Sequence, residues 1–194
     1  MKKTLIYSVL AMGSMVGISS ANAELENSVS VGYAWSSLGV IDEKNKLKTN
    51  KDAGPKGINL KYRYEIDNQL GIITSFTYLR KKDDLLVKIG STDINYSLNF
   101  NYYSLLIGPT YRFNEWVSGY AALGFVHSKV KEAAAAKFIN IDEKADNKKN
   151  GFAGMIGFQV NPMPNIVIDG SFEYAKSVYG KKAKVWSIGL GYRF

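Results

Sequence analysis

The chain has 194 residues, a formal charge of +8, a pI near 9.4 and no cysteine. That length fits one domain, and the absence of cysteine excludes a disulfide framework. No apolar run after Ala23 approaches the roughly 18 residues a membrane helix needs, so a helical membrane protein is excluded.

The first predicted element is an export signal. Lys2 and Lys3 form a basic start, Leu5 to Ile18 is mostly apolar, and Ala21-Asn22-Ala23 is a small-x-small cleavage site. This predicts a secretory signal peptide over 1–23, cut before Glu24, and a single domain over 24–194.

The rest of the chain repeats one pattern, large apolar residues alternating with small or polar ones. Val29, Val31, Tyr33 and Trp35 alternate with Ser30, Gly32, Ala34 and Ser36, and Ile58, Leu60, Tyr62 and Tyr64 with Asn59, Lys61, Arg63 and Glu65. Leu70, Ile72, Phe76 and Tyr78 oppose Gly71, Ser75 and Thr77. Tyr103, Leu105, Ile107, Tyr111 and Phe113 oppose Ser104, Gly108, Thr110 and Arg112. Trp116 to Val130 is strand-like with ambiguous facing. Phe152, Ile156, Phe158 and Val160 oppose Ala153, Gly157 and Gln159, and Ile166, Ile168, Phe172 and Tyr174 oppose Asp169, Ser171 and Glu173. The last strand is the clearest: Trp186, Ile188, Leu190, Tyr192 and Phe194 against Ser187, Gly189, Gly191 and Arg193. A two-residue period is that of a strand. An apolar, aromatic-ended outer face over a polar inner face is the signature of a membrane-spanning barrel strand. The prediction is an all-β, eight-stranded, antiparallel up-and-down transmembrane β-barrel with long extracellular loops.

Connections alternate in length. Asp67-Asn68-Gln69, Asn114-Glu115 and Asn161-Pro162-Met163-Pro164-Asn165 read as tight turns, and 39–55, 81–95, 131–149 and 177–184 as long charged loops. Short turns belong to the periplasmic side, which puts both termini there. Trp35 and Trp186 then fall in an outer aromatic girdle, and Trp116, Phe113, Tyr64 and Tyr192 in an inner one. Pro109 in mid-strand predicts a bulge or local irregularity. Glu132 to Lys137 is expected to form at most a helical turn, too short to be stable alone.

The inward face carries Lys61, Arg63, Arg112 and Arg193 against Glu65, Asp169 and Glu173. Eight strands leave an interior that side chains fill, so these charges read as a structural ion-pair network without a pore, with Asp169 and Glu173 among arginines. Acid–base catalysis by that carboxylate pair is the competing reading. His127 and Ser128 are neighbours on one strand and point to opposite faces, so they cannot readily act as a base and nucleophile pair. No nucleophile motif, metal cluster or cofactor-binding glycine loop is present in the sequence.

The surplus positive charge lies outside the strands. Lys44, Lys46, Lys48 and Lys51 occupy the first long connection; Arg80, Lys81 and Lys82 the second rim; Lys176, Lys181, Lys182 and Lys184 the last. A basic outer rim suits lipopolysaccharide phosphates, sulfated glycans or acidic protein patches. Equally, it suits simple solvation of loops above a charged lipid. Nucleic acid is not a sensible partner for an exported barrel.

Several segments in order carry a family resemblance. They are Gly57-Ile58-Asn59-Leu60-Lys61-Tyr62-Arg63-Tyr64-Glu65, Leu70-Gly71-Ile72-Ile73-Thr74-Ser75-Phe76-Thr77-Tyr78, and Tyr102-Tyr103-Ser104. Gly108-Pro109-Thr110-Tyr111-Arg112-Phe113-Asn114 and Gly189-Leu190-Gly191-Tyr192-Arg193-Phe194 complete the set. The chain resembles the Ail/Lom/OmpX family of small outer-membrane proteins. The resemblance implies a barrel whose outer loops act in attachment, invasion, matrix binding or complement resistance, and it accommodates the Gly108-Pro109 pair. It also implies that Phe194 is the terminal aromatic read by the outer-membrane assembly machinery. The loops match no member, so the resemblance leaves the particular activity open. Matrix proteins, sulfated glycans and complement regulators are the expected host partners. The other readings are a structural or stress-related barrel meeting mainly lipopolysaccharide, and a lipid-modifying enzyme.

Overall fold

The computed structural model describes residues 27–36, 54–89, 92–136, 139–178 and 181–194. The expected signal peptide, and Lys44, Lys46, Lys48 and Lys51, lie outside the described residues. The strands are β1 (Ser28–Ser36), β2 (Lys56–Glu65), β3 (Leu70–Ile89), β4 (Thr92–Arg112), β5 (Val117–Ala136), β6 (Ile139–Met163), β7 (Ile166–Val178) and β8 (Lys181–Arg193). Each pairs antiparallel with its sequence neighbours, and β8 closes on β1, giving a closed eight-stranded barrel. Trp35 stands opposite Trp186 at the seam, and Asn27 and Phe194 exchange backbone hydrogen bonds of 2.8 and 2.9 Å at its inner end.

Where side chains are described, inward and outward residues alternate on all eight strands. Val31, Leu60, Ile107, Phe125, Ile156 and Leu190 are exposed outside, while Lys61, Arg63, Glu65, Asp169 and Glu173 are buried inside. The ambiguous stretch resolves with Ser118, Tyr120, Ala122, Val126, Ser128 and Val130 inward and Leu123, Phe125 and His127 outward. Small residues on both faces (Gly119, Ala121, Ala122, Gly124) had blurred its contrast. Towards the outer end, Leu79, Phe100, Tyr102, Val126 and Val130 pack in one cluster with the small Ala34, Ala153, Ala175 and Ala183. The lumen thus carries an apolar plug above its polar layer.

Strand length breaks the symmetry. β1 and β2 have 9 and 10 residues, while β3, β4, β5 and β6 have 20, 21, 20 and 25. A spanning strand needs about 9–11 residues. The segments 81–95 and 131–149, expected as loops, are therefore corrected: the β3–β4 ladder continues to Ile89↔Thr92 and the β5–β6 ladder to Ala136↔Ile139. The 177–184 connection likewise shortens, since Val178 already pairs with Lys181. Where a helical turn was expected at Glu132–Lys137, Glu132 to Ala136 is strand, because Glu132 pairs with Leu98 on one side and Ala145 on the other; Lys137 lies outside the described residues. Two ladders outweigh an isolated turn far below the roughly 12–15 residues a lone helix requires. The sequence over 81–95 and 131–149 lacks the sustained apolar–polar alternation that marks a half-buried strand, so periodicity did not reveal these strands.

Pro109 pairs with Ile72 on β3, whereas pairing with β5 runs from Ile107↔Leu123 directly to Thr110↔Tyr120. The irregularity is a gap in the ladder with no inserted residue. Proline brings no N–H, and a Cβ on Gly108 would sit 2.0 Å from the Ala121 carbonyl oxygen. At the short turns, Asp67 Oδ1 accepts from the backbone N–H of Leu70 (2.6 Å) and Gln69 (2.7 Å), and Asn114 Oδ1 from Val117 (2.8 Å) and Trp116 (2.9 Å). These side chains template the reversal.

Adjacent residues on β4 should respond to opposite chemistry. Leu105→Arg places a charge in lipid and is expected to cost about 2–4 kcal/mol, while Leu106→Ala opens a lumen cavity costing about 2–5 kcal/mol, both read by denaturant unfolding in bilayers. The N–H groups of Leu70 and Gln69 hold the Asp67 carboxyl below the ordinary carboxylate range. Its capping contribution is then present above the unfolded pKa and fades as pH falls through the lower, folded value. A side-chain carboxyl NMR titration should show Asp67 protonating at lower pH than a free aspartate.

Candidate functional site: the lumen network and the outer basic rim

The inward charges form three layers. Nearest the outer plug, Glu173 accepts hydrogen bonds from Tyr102, from Ser104 (3.0 Å) and from Thr77 (3.1 Å). Asn59 Nδ2 supports this layer by donating to Thr77 Oγ1 at 3.0 Å and Ser75 Oγ at 2.9 Å. In the middle, Lys61 pairs with Asp169 and also donates to Ser171 Oγ at 3.0 Å and Ser187 Oγ at 3.3 Å. Tyr120 donates to the other Asp169 oxygen at 2.9 Å. Its ring lies over Gly157, where a Cβ would come within 2.3 Å of the hydroxyl. At the inner end Glu65 gathers Arg112, Arg63 (3.4 Å) and Arg193 (3.4 Å), and Arg63 reaches across to Gln159 Oε1 at 3.2 Å.

The expectation that Asp169 and Glu173 sit among arginines is corrected. The arginines collect on Glu65, while Asp169 takes a lysine and Glu173 takes hydroxyls. The reason is axial position: Arg63, Arg112 and Arg193 lie near the short-turn ends of their strands, and Asp169 and Glu173 lie progressively farther out along β7. Tyr102 and Tyr120, both buried, were overlooked in the sequence because an aromatic in a barrel strand reads as lipid-facing; their parity with Ser104 and Ser118 was the available signal. These layers tie opposite walls together. His127 faces outward and donates through Nδ1 to Asn150 Oδ1 at 2.7 Å, while Ser128 is buried inside and donates to the Lys149 carbonyl at 3.3 Å. They do not meet. Among the described residues no group of three or more His, Asp or Glu side chains suits a metal.

The outer rim has its own register. Lys56, Arg80, Asn101, Lys129 and Lys148 are successive cross-strand partners on β2 to β6, all on the outward face. One step towards the membrane lies the row Ile58, Tyr78, Tyr103, His127 and Asn150. Its rings are neighbours, with centroids 4.9 Å apart for Tyr78–Tyr103 and 6.3 Å for Tyr103–His127. Tyr78 donates to Asn101 Oδ1 at 3.2 Å, joining the rows. A cationic row over an aromatic row is the order of a headgroup over an interfacial belt.

The rim residues expected from sequence separate into two groups. Arg80 and Lys82 are exposed on β3, with Lys81 half-buried between them. Lys176, Lys182 and Lys184 are exposed on the β7–β8 hairpin, on the other side of the barrel from β3; the Lys181 side chain lies outside the described residues. The fold does not bring the two groups together. It instead aligns Lys56, Lys129 and Lys148 with Arg80, a set visible only once strand register is known.

Over residues 8–194 the chain matches the outer membrane protein beta-barrel domain. It is 40% identical to the attachment invasion locus protein of Yersinia enterocolitica, with 100% of both chains covered. It is 33% identical to the virulence membrane protein PagC of Salmonella typhimurium, again over 100% of both. Among solved structures it is similar to Ail, the attachment invasion locus protein of Yersinia pestis, in complex with the heparin analogue sucrose octasulfate. That similarity has 38% sequence identity and a TM-score of 0.71, covering 89% of this chain and 100% of that one.

Gly157→Ala forces Tyr120 off Asp169 and is expected to cost about 1–3 kcal/mol. Combined with Tyr120→Ala the loss should be less than additive, which a double-mutant cycle of unfolding free energies measures.

Proposed function

The chain belongs to the Ail/Lom/OmpX family of small outer-membrane barrels, and from that premise we propose that its raised wall and basic rim bind host components in attachment or serum resistance. It is an integral protein of the Gram-negative outer membrane, with short turns and both termini periplasmic. The observation that carries the reading is the wall of β3 to β6. From Arg80 to Ile89 and from Lys148 to Ile139 it continues for roughly 30 Å along each strand beyond the headgroup row. Among the described residues, β3 beyond Arg80 is paired only with β4, and β6 before Phe152 only with β5. Such edges accept an extended ligand segment by strand addition.

Charge supplies attraction. Arg80, Lys81 and Lys82 lie at the root of the wall, and Lys176, Lys181, Lys182 and Lys184 on the opposite hairpin, where they steer acidic partners. A sulfated glycan is the favoured small-ligand class, since the solved Yersinia pestis relative was captured with a heparin analogue. Matrix proteins and complement regulators are the protein partners in this reading. The row Lys56, Arg80, Lys129 and Lys148 favours a second reading, in which the rim contacts only lipopolysaccharide phosphates and the protein has no host ligand. It points outward at headgroup level.

Capture of host proteins from serum and matrix extract decides between them, using the intact barrel beside a version with its outer connections and overhanging hairpins shortened. A protein held by the first and lost by the second supports the host reading; equal capture favours the lipopolysaccharide reading. Heparin binding should fall about tenfold or more as salt rises from physiological strength to roughly 0.5 M, where the screening length is about halved. Salt-insensitive binding would remove the electrostatic part.

A further inference from the structure

We infer that the periplasmic mouth of the lumen holds a small inorganic oxyanion between Arg63, Arg112 and Ser118. The inner layer is a ring of contacts. Arg112 and Arg63 both reach Glu65; Arg63 reaches Gln159 at 3.2 Å; and Ser118 is the direct cross-strand partner of both Arg112 and Gln159. The side chains therefore face one another around one patch of lumen.

That patch holds more donors than acceptors. Nε of Arg63, Nε of Arg112, Oγ of Ser118 and, two residues along β4, Oγ1 of Thr110 are buried without a hydrogen-bond partner. Ser118 and Thr110 are each 1% exposed and Arg63 3%. A guanidinium N–H can only donate, and both hydroxyls are able to. The local acceptors are engaged: Glu65 serves three guanidiniums, and Gln159 Oε1 serves Arg63. Asp169, the neighbour of Gln159 on β7, is neutralised by Lys61.

Charge selects an anion over water alone. Arg63 and Arg112 outnumber Glu65 by one positive charge before Arg193 is considered. In a low-dielectric lumen that excess is strongly attractive to a counter-ion. A tetrahedral oxyanion presents several acceptors, matching two guanidinium edges and two hydroxyls. Access is from the periplasm, because the Arg112 and Arg193 side chains retain 10% and 13% exposure at that end. Side chains packed farther up the lumen restrict the ion to a small one.

The test uses the chain refolded in detergent micelles with 15N-labelled arginine. Sulfate is titrated in place of gluconate, a bulkier anion, at constant ionic strength. The Nε–Hε signals of Arg63 and Arg112 should shift saturably with sulfate. Arg112→Gln should weaken the apparent affinity about tenfold, and Glu65→Gln, which removes the competing carboxylate, should strengthen it by a similar factor. A gain of affinity on Glu65→Gln is not produced by general loosening of the barrel. Should Arg112→Gln fail to refold, Ser118→Ala replaces it and should weaken binding severalfold. Linear, non-saturating shifts overturn the proposal, as does saturation that is the same in all variants or weakened by Glu65→Gln.

Discussion

Hydrocarbon cannot satisfy a backbone N–H or C=O, and the rest of this structure follows from that constraint. With no spanning helix among the described residues, the closed sheet is the solution, and closure requires β1 to find β8 across the full length of the domain. The seam is accordingly regular: every residue of β1 from Ser28 to Ser36 has a partner on β8. The gap beside Gly108 and Pro109 is tolerated because Pro109 carries no N–H to leave unpaired on that edge. A backbone held this way leaves side chains free to serve other ends, an apolar face to lipid and a polar face to the lumen.

A polar lumen in so narrow a barrel has to satisfy itself. The three layers neutralise their carboxylates with different chemistry, arginines on Glu65, a lysine and tyrosine on Asp169, and hydroxyls on Glu173, and only the inner layer keeps unpaired donors among the described residues of the network. Each layer joins strands distant in the chain, Lys61 to Asp169 and Tyr102 to Glu173 among them. Removing one partner of such a buried pair leaves the other uncompensated, so the layers specify the arrangement even where their net contribution to stability is small. Gly157 shows how closely backbone and network are matched, since only a residue without Cβ admits the Tyr120 ring.

The outer half of the molecule obeys a different solvent. Where the wall of β3 to β6 leaves the lipid, alternation is no longer demanded, yet the ladders persist because each strand already has a neighbour in register. The overhang is thus a hydrogen-bonded continuation of the barrel, and its edges and basic root are positioned by transmembrane register. The aromatic row at Tyr78, Tyr103 and His127 lies directly below the cationic row from which the wall rises.

The sequence by itself determined the barrel, its strand number, the inward and outward sets and the short turns. Those depend on local periodicity, which lipid on one side and a packed lumen on the other make unmistakable in strands such as Trp186 to Phe194. It also placed Lys61, Arg63, Glu65, Arg112, Asp169, Glu173 and Arg193 on one face, but not in layers, because parity says which side a residue faces and nothing of its height. Tertiary structure alone decided those heights, the inward turn of Tyr102 and Tyr120, and the alignment of Arg80 with Lys56, Lys129 and Lys148. It likewise made strand of the described residues of the expected loops, to Ile89 and from Thr92 in one hairpin and to Ala136 and from Ile139 in the other. The physical reason is shared: partner height and partner identity are set by register between strands far apart in the chain, and 81–95 and 131–149 carry no sustained two-residue period in which that register could be read.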